Sequence, residues 1–449
     1  MTLLGIAWRN IRQRLLTSLL TALSLALGVA LVVATLVTGG IVKQAFESGS
    51  GLGYNMIVGA KGSPLQLVLN SVYLISRPIE NISWDFYQQF LPAAERPDGT
   101  DGRFAASTKT AVPICMGDYF RGFRVVGTNA AYFDRLTVGS GRAFAFSAGR
   151  NFRDDESFGG VLGATVAARL GLRVGDPFAP THGADDGKVH DPFTVVGILA
   201  RTDTPVDRGV YVNMEGFYLQ EGHAKPVEGE ADDDGPDGGG PNADGETFQP
   251  LPFAQREVTA ILVETAALPG LPGMPDLPAE LTAMALRTAI NEGRDGQAAE
   301  PVREIRQLLD LFVKPLELLL LLITALVVLV SAIGILVSMV GSSLERSRDV
   351  AIMRALGARR AHVLAVVLIE AVLLAVGGGL AGWVLGHLLV GAIGPLITTN
   401  AGVSASVLSA APGAELLLVP FLVVLAILAA LLPALAAYRT DVAKWLQNG

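Results

Sequence analysis

The chain has 449 residues, of which 51% are apolar and only 17% are charged. Soluble proteins carry about a quarter charged residues, so this composition excludes an ordinary soluble protein. Residues 43–312 hold 23 basic and 36 acidic residues, a net charge of −13, whereas the rest of the chain has a net charge of +5. An acidic segment of this size argues against nucleic acid as a partner.

Four long stretches without charged residues are the predicted membrane spans: 15–42, 318–344, 371–414 and 416–438. Each exceeds the roughly 20 residues that a helix needs to cross the hydrocarbon core. Basic residues cluster outside these stretches, at Arg9, Arg12, Arg14, Arg346, Arg348, Arg354, Arg359, Arg360, Arg439 and Lys444. By the positive-inside rule these clusters face the cytoplasm, which places both termini inside and residues 43–312 outside.

The predicted fold is an α-helical integral membrane protein with four transmembrane helices and a large inserted α+β extracytoplasmic domain. The cytoplasmic N-terminus, 1–14, precedes transmembrane helix 1 at 15–42, which is too long for a signal-peptide core and is interpreted as an uncleaved anchor. The extracytoplasmic domain covers 43–312. It is followed by transmembrane helix 2 at 313–342, a cytoplasmic loop at 343–361, helix 3 at 362–392, an external loop at 393–414, helix 4 at 415–438 and a cytoplasmic tail at 439–449.

Within 43–312, runs of β-branched and aromatic residues predict strands at 122–128, 159–162, 193–199, 209–212 and 258–264, and short helices at 82–91, 164–170, 214–221 and 279–291. Residues 228–246 contain 6 Gly and 8 acidic residues, so we expect a disordered loop there. The amphipathic segment 302–313 predicts a stalk that runs into the second span, interrupted only by Pro315. Cys115 is the only cysteine, which excludes an intrachain disulfide.

Small residues recur at a four-residue step in two of the spans: Ala22, Ala26, Ala30 and Ala34 in the first, and Gly378, Gly382 and Gly386 in the third. Such a seam lets another helix backbone approach closely in lipid. Packing within one subunit and an interface between subunits both remain open. Glu370, in the same third span, is expected to have a structural or coupling role, and His387 to be a packed residue.

The loop between the second and third spans predicts a short amphipathic helix at 348–356 that Gly357 ends. Val350, Met353 and Leu356 form its apolar ridge, framed by charged residues. Such a ridge suits docking into a groove of another protein, and a helix resting on lipid headgroups is the alternative.

At this point the chain resembles the MacB-type, or FtsX-like, permease subunits of ABC transporters. The resemblance lies in AWRNIRQRLLTSLLTALSLALGVALVV at 7–33, VLGATVAARLGLRVGD at 161–176, FTVVGILARTDTPVDRGVYV at 193–212, ERSRDVAIMRALGARRAHVLAVVLIEA at 345–371, GGGLAGWVLG at 377–386 and RTDVAKWLQ at 439–447. It implies an inner-membrane dimer of permeases, each bound to a cytoplasmic ATPase subunit whose motion a coupling helix and a stalk transmit to the periplasmic domain. Export or extraction of a substrate is the implied task.

Carried over from this family, the ATPase contact consists of Glu345, Arg346, Arg348, Asp349, Met353, Arg354 and Leu356. ATP and Mg²⁺ would be bound by the ATPase, because the chain lacks the GxxxxGK[ST] phosphate loop and carries no other catalytic motif. We therefore expect no enzyme activity and no cofactor in this chain. The expected partners are the ATPase, a second permease, membrane lipid and a periplasmic adaptor or substrate-carrier protein.

One cluster of histidines and acids is a candidate zinc site. His182, Asp186 and His190 are its predicted ligands, and Asp185, Asp191 and His223 are nearby in sequence. Imidazole and carboxylate groups bind Zn²⁺, whereas a solvated loop with incidental histidines is the competing interpretation. Two alternative functions stay open: a permease for transition-metal uptake or handling, and a non-transporting, ATP-driven regulator of a cell-wall hydrolase.

Overall fold

The computed structural model describes residues 2–49, 51–78, 80–139, 141–183, 187–220, 223, 251–270, 276–345, 358–401 and 417–438. They belong to two compact units. The β-rich unit comprises 45–309 with 399–404, and the helical unit comprises 1–44, 310–398 and 405–449. The predicted disordered loop 228–246 and the predicted coupling helix 348–356 lie outside the described residues.

Twelve α-helices are described: α1 (Leu3–Gln13), α2 (Leu15–Gly49), α3 (Pro64–Ser71), α4 (Trp84–Gln88), α5 (Ala131–Asp134), α6 (Ala164–Leu170), α7 (Met214–Tyr218), α8 (Ala279–Glu292), α9 (Pro301–Leu308), α10 (Lys314–Glu345), α11 (Arg360–Ala401) and α12 (Leu418–Tyr438). The strands are β1 (Met56–Gly59), β2 (Ile82–Ser83), β3 (Thr108–Cys115), β4 (Asp118–Phe120), β5 (Phe123–Thr128), β6 (Thr137–Val138), β7 (Arg142–Ala143), β8 (Phe146–Gly149), β9 (Gly159–Leu162), β10 (Pro177–Phe178), β11 (Thr181–His182), β12 (Phe193–Leu199), β13 (Val210–Asn213), β14 (Glu257–Val258), β15 (Ala260–Thr265) and β16 (Gln297–Ala299).

Three helices are long and apolar enough to cross a membrane: Leu15–Ile41, Pro301–Gly334 and Ala361–Gly394. A shorter apolar helix, Pro420–Leu431, lies within α12. The search covered only the described residues, so the count of four spans stays a prediction. The predicted external loop at 393–414 stays a prediction: the candidate span ends at Gly394, and the helix α11 continues to Ala401. Pro395 lies within this helix, as prolines do in some membrane helices.

The core of the helical unit joins α2, α11 and α12. Every fourth residue of α2 is buried there: Leu25, Val29, Val33, Val37 and Ile41. Small and apolar residues of the other two helices complete the cluster: Ala371, Leu374, Ala375, Val390, Leu422, Ala426 and Ala430. The exposed apolar residues on α2, α10, α11 and α12 are the surface expected of helices in lipid.

The helical path from α9 to α10 contains a π-turn. Residues Leu309–Val313 form this turn, and α10 begins directly after it at Lys314. Pro315, the second residue of α10, follows this turn and has no amide hydrogen to bond back to it, so the predicted interruption takes the form of a π-turn. The helical register changes within the five residues Leu309–Val313.

A mixed sheet of twelve strands organises the β-rich unit. Nine strands follow the order β10-β12-β9-β13-β5-β3-β15-β1-β16, while β8 pairs with β12, β4 with β5, and β11 with β4. The β12–β9 and β13–β5 pairs are parallel, and the other pairs of this sheet are antiparallel. Each of its central strands is buried on both faces, which explains their continuous apolar runs.

Two hydrophobic clusters fill the unit. One is built around Phe90, Val125, Leu162, Phe193 and Val212. The other is built around Ile57, Val112, Phe133, Leu199 and Tyr211. Because successive side chains of a strand point to opposite faces, the alternating residues of β12 and β13 supply both clusters. The short strands β4 and β11 lie beside this core and carry the polar cluster described next.

Candidate metal centre

Four side chains that can bind metal converge in the β-rich unit: Asp118, His182, His190 and His223. Each offers one donor atom, and the four donor atoms all lie within 4.8 Å of one another. The residues are far apart in sequence, so the fold brings them together. The predicted ligands His182 and His190 are both present. The third predicted ligand, Asp186, lies outside the described residues.

Strand pairing places Asp118 beside His182. The antiparallel strands β4 and β11 pair with His182 directly opposite Asp118 and Thr181 opposite Tyr119. The Gly183 amide donates to the Gly117 carbonyl at 3.1 Å, which extends the pairing past the histidine. Side chains directly opposite in an antiparallel pair are close neighbours, and register therefore fixes this half of the site.

Backbone hydrogen bonds join the segment of His182 to that of His190. The His182 amide donates to the Lys188 carbonyl at 2.8 Å, and the His190 amide donates to the Pro180 carbonyl at 2.9 Å. These bonds bring the two imidazole rings to a centroid separation of 5.4 Å. We call the paired residues 180–183 and 187–190 the histidine hairpin.

His223 reaches the site from the segment that follows α7. The cap of α7 is the Asn213 side chain, whose oxygen accepts a hydrogen bond from the Glu215 amide at 2.8 Å. Beyond the helix, the His223 amide donates to the Gln220 carbonyl, and His223 Nδ1 lies 2.8 Å from the Phe217 carbonyl oxygen. Since a carbonyl only accepts, Nδ1 carries the hydrogen, and Nε2 is the atom that faces the cluster.

Gln220 joins this segment to the histidine hairpin. Its buried side-chain oxygen accepts a hydrogen bond from the Asp191 amide at 2.9 Å, and its nitrogen donates to the Asp191 carbonyl at 3.5 Å. Asp191 is the residue after His190. The amide of Gln220 thereby sets the distance between the hairpin and the end of α7, and with it the spacing of two histidines.

The donor atoms are close to one another in several pairs. His223 Nε2 lies 3.1 Å from His182 Nδ1 and 3.2 Å from Asp118 Oδ1. Asp118 Oδ1 is also 3.4 Å from His182 Nδ1, and Asp118 Oδ2 is 3.4 Å from His190 Nε2. The carboxylate is therefore shared by all three imidazoles.

Burial divides the cluster unequally. The side chains of Asp118, His190 and His223 are 1%, 2% and 4% exposed, whereas that of His182 is 48% exposed. Asp118 Oδ2 and His190 Nε2 are both buried without a hydrogen-bond partner. Unsatisfied buried polar atoms are rare in native proteins, so this pair needs a physical explanation.

The electrostatics keep the carboxylate ionised. Burial opposes the charge of Asp118, but the contacts with His190 and His223 outweigh it and hold the pKa of Asp118 at about 2. Burial, reinforced by the neighbouring His223, lowers the pKa of His182. One anion and a neutral imidazole are the protonation states in which these groups bind metal.

The remaining predicted site residues divide into two groups. Of the ATPase-contact residues, Glu345 is the last residue of α10, while Arg346, Arg348, Asp349, Met353, Arg354 and Leu356 lie outside the described residues.

The three glycines of α11 lie against α2. An ideal Cβ on Gly378 would come within 2.8 Å of the Ala22 carbonyl oxygen, one on Gly382 would overlap Ala26, and one on Gly386 would lie 2.8 Å from Val33 Cβ.

Two single residues have positions that limit their roles. Cys115 is buried, and its sulfur lies 3.3 Å from both the Tyr218 hydroxyl and the Glu257 carbonyl. Burial raises the pKa of the Cys115 thiol to about 12, which leaves it without nucleophilic character. Glu370 is 5% exposed within α11, beside the core residue Ala371.

Sequence reasoning missed Asp118 as a ligand. It precedes His182 by 64 positions and lies in a strand of three residues, so no local spacing connects the two. His223 was noticed only as a neighbour in sequence. The one available signal was that three of the five histidines of the chain fall within residues 182–223.

Comparison with known families gives two matches. Residues 18–234 match the family model described as the MacB-like periplasmic core domain. Residues 321–442 match the model described as the FtsX-like permease C-terminal region. A search of curated proteins found no match. The first match covers most of the first long apolar helix and much of the β-rich unit, and the second covers the later apolar helices.

Proposed function

Since the chain is a permease subunit of the MacB/FtsX type of ABC transporter, we propose that it transmits the motion of a cytoplasmic ATPase to the β-rich unit outside the membrane. This motion exports or extracts a substrate. ATP and Mg²⁺ are bound by the separate ATPase subunit. The permease resides in the inner membrane as a dimer, and the β-rich unit engages the periplasmic adaptor or substrate-carrier protein.

The order of the candidate spans is the observation that carries this proposal. Leu15–Ile41 precedes the β-rich unit, and Pro301–Gly334 follows it. If each helix crosses once, the segments before the first and after the second lie on the side opposite to the β-rich unit. Those segments contain Arg9, Arg12 and Arg14 at one end and the arginine-rich loop 346–359 at the other. The positive-inside rule assigns both to the cytoplasm.

The loop 346–359 is where an ATPase would act. It connects the end of α10 at Glu345 to the start of α11 at Arg360, so a force on it reaches two membrane helices at once. Its sequence places Met353 and Leu356 on one apolar ridge between charged residues. Short amphipathic helices of this kind bind in apolar grooves.

The chain also offers a continuous path from this loop to the β-rich unit. α10 is preceded by the π-turn Leu309–Val313 and by α9 without an intervening loop. Ile305 of α9 is 3% exposed and belongs to the second hydrophobic cluster of the β-rich unit, and Leu308 packs against it. A displacement of α10 therefore acts on a segment that is anchored in the core.

The test is Met353→Asp in the full chain, coexpressed with its ATPase. Large apolar side chains at the centre of a small interface contribute most of its binding energy. A carboxylate buried there without a partner costs on the order of 3–5 kcal/mol. We expect the variant to insert and fold but to lose copurification of the ATPase.

Arg354→Ala is the matched control, because an exposed charge beside the ridge contributes about 1 kcal/mol or less. It should weaken copurification only slightly. Full ATPase binding by Met353→Asp would show that the loop rests on lipid and would contradict the coupling role. Neither matched family description names a metal or a hydrolase, so the metal-uptake and hydrolase-regulator alternatives remain predictions.

A further inference from the structure

We propose that Asp118, His182, His190 and His223 form a site for one divalent transition-metal ion of the zinc class, within the β-rich unit. The ion would be bound by three imidazole nitrogens and one carboxylate oxygen. The proposal rests on the geometry of the cluster and is independent of the coupling role.

The spacing of the donor atoms is that of a tetrahedral site. Zinc lies about 2.0–2.1 Å from nitrogen or oxygen ligands, so two ligands of a tetrahedron are about 3.3–3.4 Å apart. Three donor pairs, those among His223 Nε2, His182 Nδ1 and Asp118 Oδ1, measure 3.1, 3.2 and 3.4 Å, and His190 Nε2 lies 3.4 Å from the other carboxylate oxygen, Oδ2. All other pairs are within 4.8 Å. Small side-chain rotations are enough to enclose an ion.

The hydrogen bond to Phe217 leaves Nε2 of His223 as the ring atom that faces Asp118, where it either donates a proton to the carboxylate or binds a cation. His223 Nδ1 donates its hydrogen to the Phe217 carbonyl, so Nε2 of the neutral ring presents a lone pair. That lone pair faces Asp118 Oδ1, which is also an acceptor, at 3.2 Å. A backbone carbonyl that fixes the outer nitrogen of a histidine is the usual arrangement behind a metal ligand.

Two buried polar atoms without hydrogen-bond partners also support a bound ion. Asp118 Oδ2 and His190 Nε2 are buried without a hydrogen-bond partner and lie 3.4 Å apart. A buried carboxylate is costly unless it is paired or coordinates a metal. A metal ion would satisfy both atoms, since among the described residues the ion pairs of this carboxylate are with the three histidines, and Arg124 interacts with it electrostatically without forming a salt bridge.

The donor set selects the class of metal. Imidazole suits Zn²⁺, Co²⁺, Ni²⁺ and Cu²⁺, whereas Ca²⁺ and Mg²⁺ require six or more oxygen ligands. Four protein ligands close a tetrahedral site, which is typical of structural or regulatory zinc. The exposed His182 is the ligand by which the ion enters and leaves. Once bound, the ion would connect β4, the histidine hairpin and the segment after α7.

The test uses the full chain in detergent, stripped of metal with a chelator and then titrated by calorimetry with Zn²⁺ alone. We expect one ion per chain and a Kd in the micromolar range or tighter. Co²⁺ should give the visible absorption bands of a tetrahedral complex, and Mg²⁺ and Ca²⁺ should not bind. Absence of Zn²⁺ binding to the folded chain would overturn the proposal.

Variants then identify the ligands. His182→Ala removes a half-exposed side chain and should leave folding intact. Loss of a residue that only orients a metal ligand typically weakens metal affinity by roughly 10–100-fold. Loss of the ligand His182 itself should weaken Zn²⁺ affinity by more than that. His190→Ala should do the same. His387→Gln, in the helical unit, is the matched control and should leave affinity unchanged. Unchanged affinity in both ligand variants would assign the metal to other residues and refute the site.

Discussion

Single buried carboxylates in the β-rich unit fall into two contrasting cases. Asp207 is fully buried, and its two oxygens accept hydrogen bonds from the Thr202 amide and hydroxyl and from the Asp203 amide at 2.8–3.2 Å. Burial raises the pKa of Asp207, yet its acceptors are filled by the surrounding turn. Asp118 is equally buried but leaves Oδ2 unfilled. The first carboxylate builds a turn, and the second has capacity for a ligand.

Gln220 supplies a prediction at the residue scale. Gln220→Ala removes the hydrogen bonds to Asp191 that hold the histidine hairpin against the end of α7. Because loss of a group that orients metal ligands typically costs 10–100-fold in affinity, we expect about that loss of Zn²⁺ affinity. Calorimetry measures it, and the thermal midpoint without metal reports folding separately.

Gln89→Ala is the control for this prediction. Gln89 also accepts a hydrogen bond from a backbone amide, that of Arg103, but it lies in a different part of the β-rich unit. Its substitution should leave Zn²⁺ affinity unchanged. If Gln220→Ala kept the Zn²⁺ affinity of the unchanged chain, Gln220 would not position the histidines, even if the variant had a lower thermal midpoint.

At the scale of elements, periodicity predicted some segments closely and missed others for identifiable reasons. The β-branched run at 193–199 and the helix at 164–170 have the predicted bounds. β3 was missed, although it pairs with both β15 and β5, because Pro113 within it is a residue that usually excludes a central strand. The Pro113 carbonyl accepts from the Thr128 hydroxyl, which ties the proline into the sheet.

The site elements were less predictable than the core. β4 and β11 have three and two residues, too few for any periodic signal. Their pairing depends on long-range register, which a single sequence does not reveal. The predicted helix 214–221 ends earlier, at Tyr218, and the Phe217 carbonyl near its end accepts from the Gln220 amide as well as from His223. Two of the predicted zinc ligands, His182 and His190, therefore lie in the cluster, and zinc binding itself stays a prediction.

The contact between α11 and α2 supplies a prediction at the element scale. Gly382 lies so close to Ala26 and Val29 of α2 that a Cβ has no room. Gly382→Val should force these helices apart and lower the thermal midpoint of the detergent-solubilised chain by several degrees, since overpacking typically costs about 1–3 kcal/mol. Fluorescence-detected thermal unfolding measures this.

Gly391→Val is the matched control, because a Cβ on Gly391 of the same helix meets nothing within 4 Å. Both changes place the same β-branched residue in α11, so intrinsic helix propensity cancels in the comparison. Equal midpoints for the two variants would mean that the small residues of α2 and α11 do not pack against each other within one subunit.

For the whole molecule, the central claim is that an extracytoplasmic domain is driven from the cytoplasm. From the order of the candidate spans and the charge asymmetry we propose that residues 45–309 lie on one side of the membrane and residues 346–359 on the other. Dimerisation, the ATPase contact and the periplasmic partners all depend on this sidedness. Composition alone was enough to predict a single inserted domain. The metal cluster inside this domain could be recognised only once the fold was known.

Cysteine accessibility in spheroplasts measures this sidedness most directly. The native Cys115 gives no background, because it is 3% exposed and its pKa is raised to about 12 by burial. Arg201→Cys places a thiol at an exposed position of the β-rich unit, and Arg348→Cys places one in the cytoplasmic loop. A membrane-impermeant maleimide should label position 201 in intact spheroplasts and position 348 only after permeabilisation. Labelling of position 348 in intact spheroplasts would contradict the account.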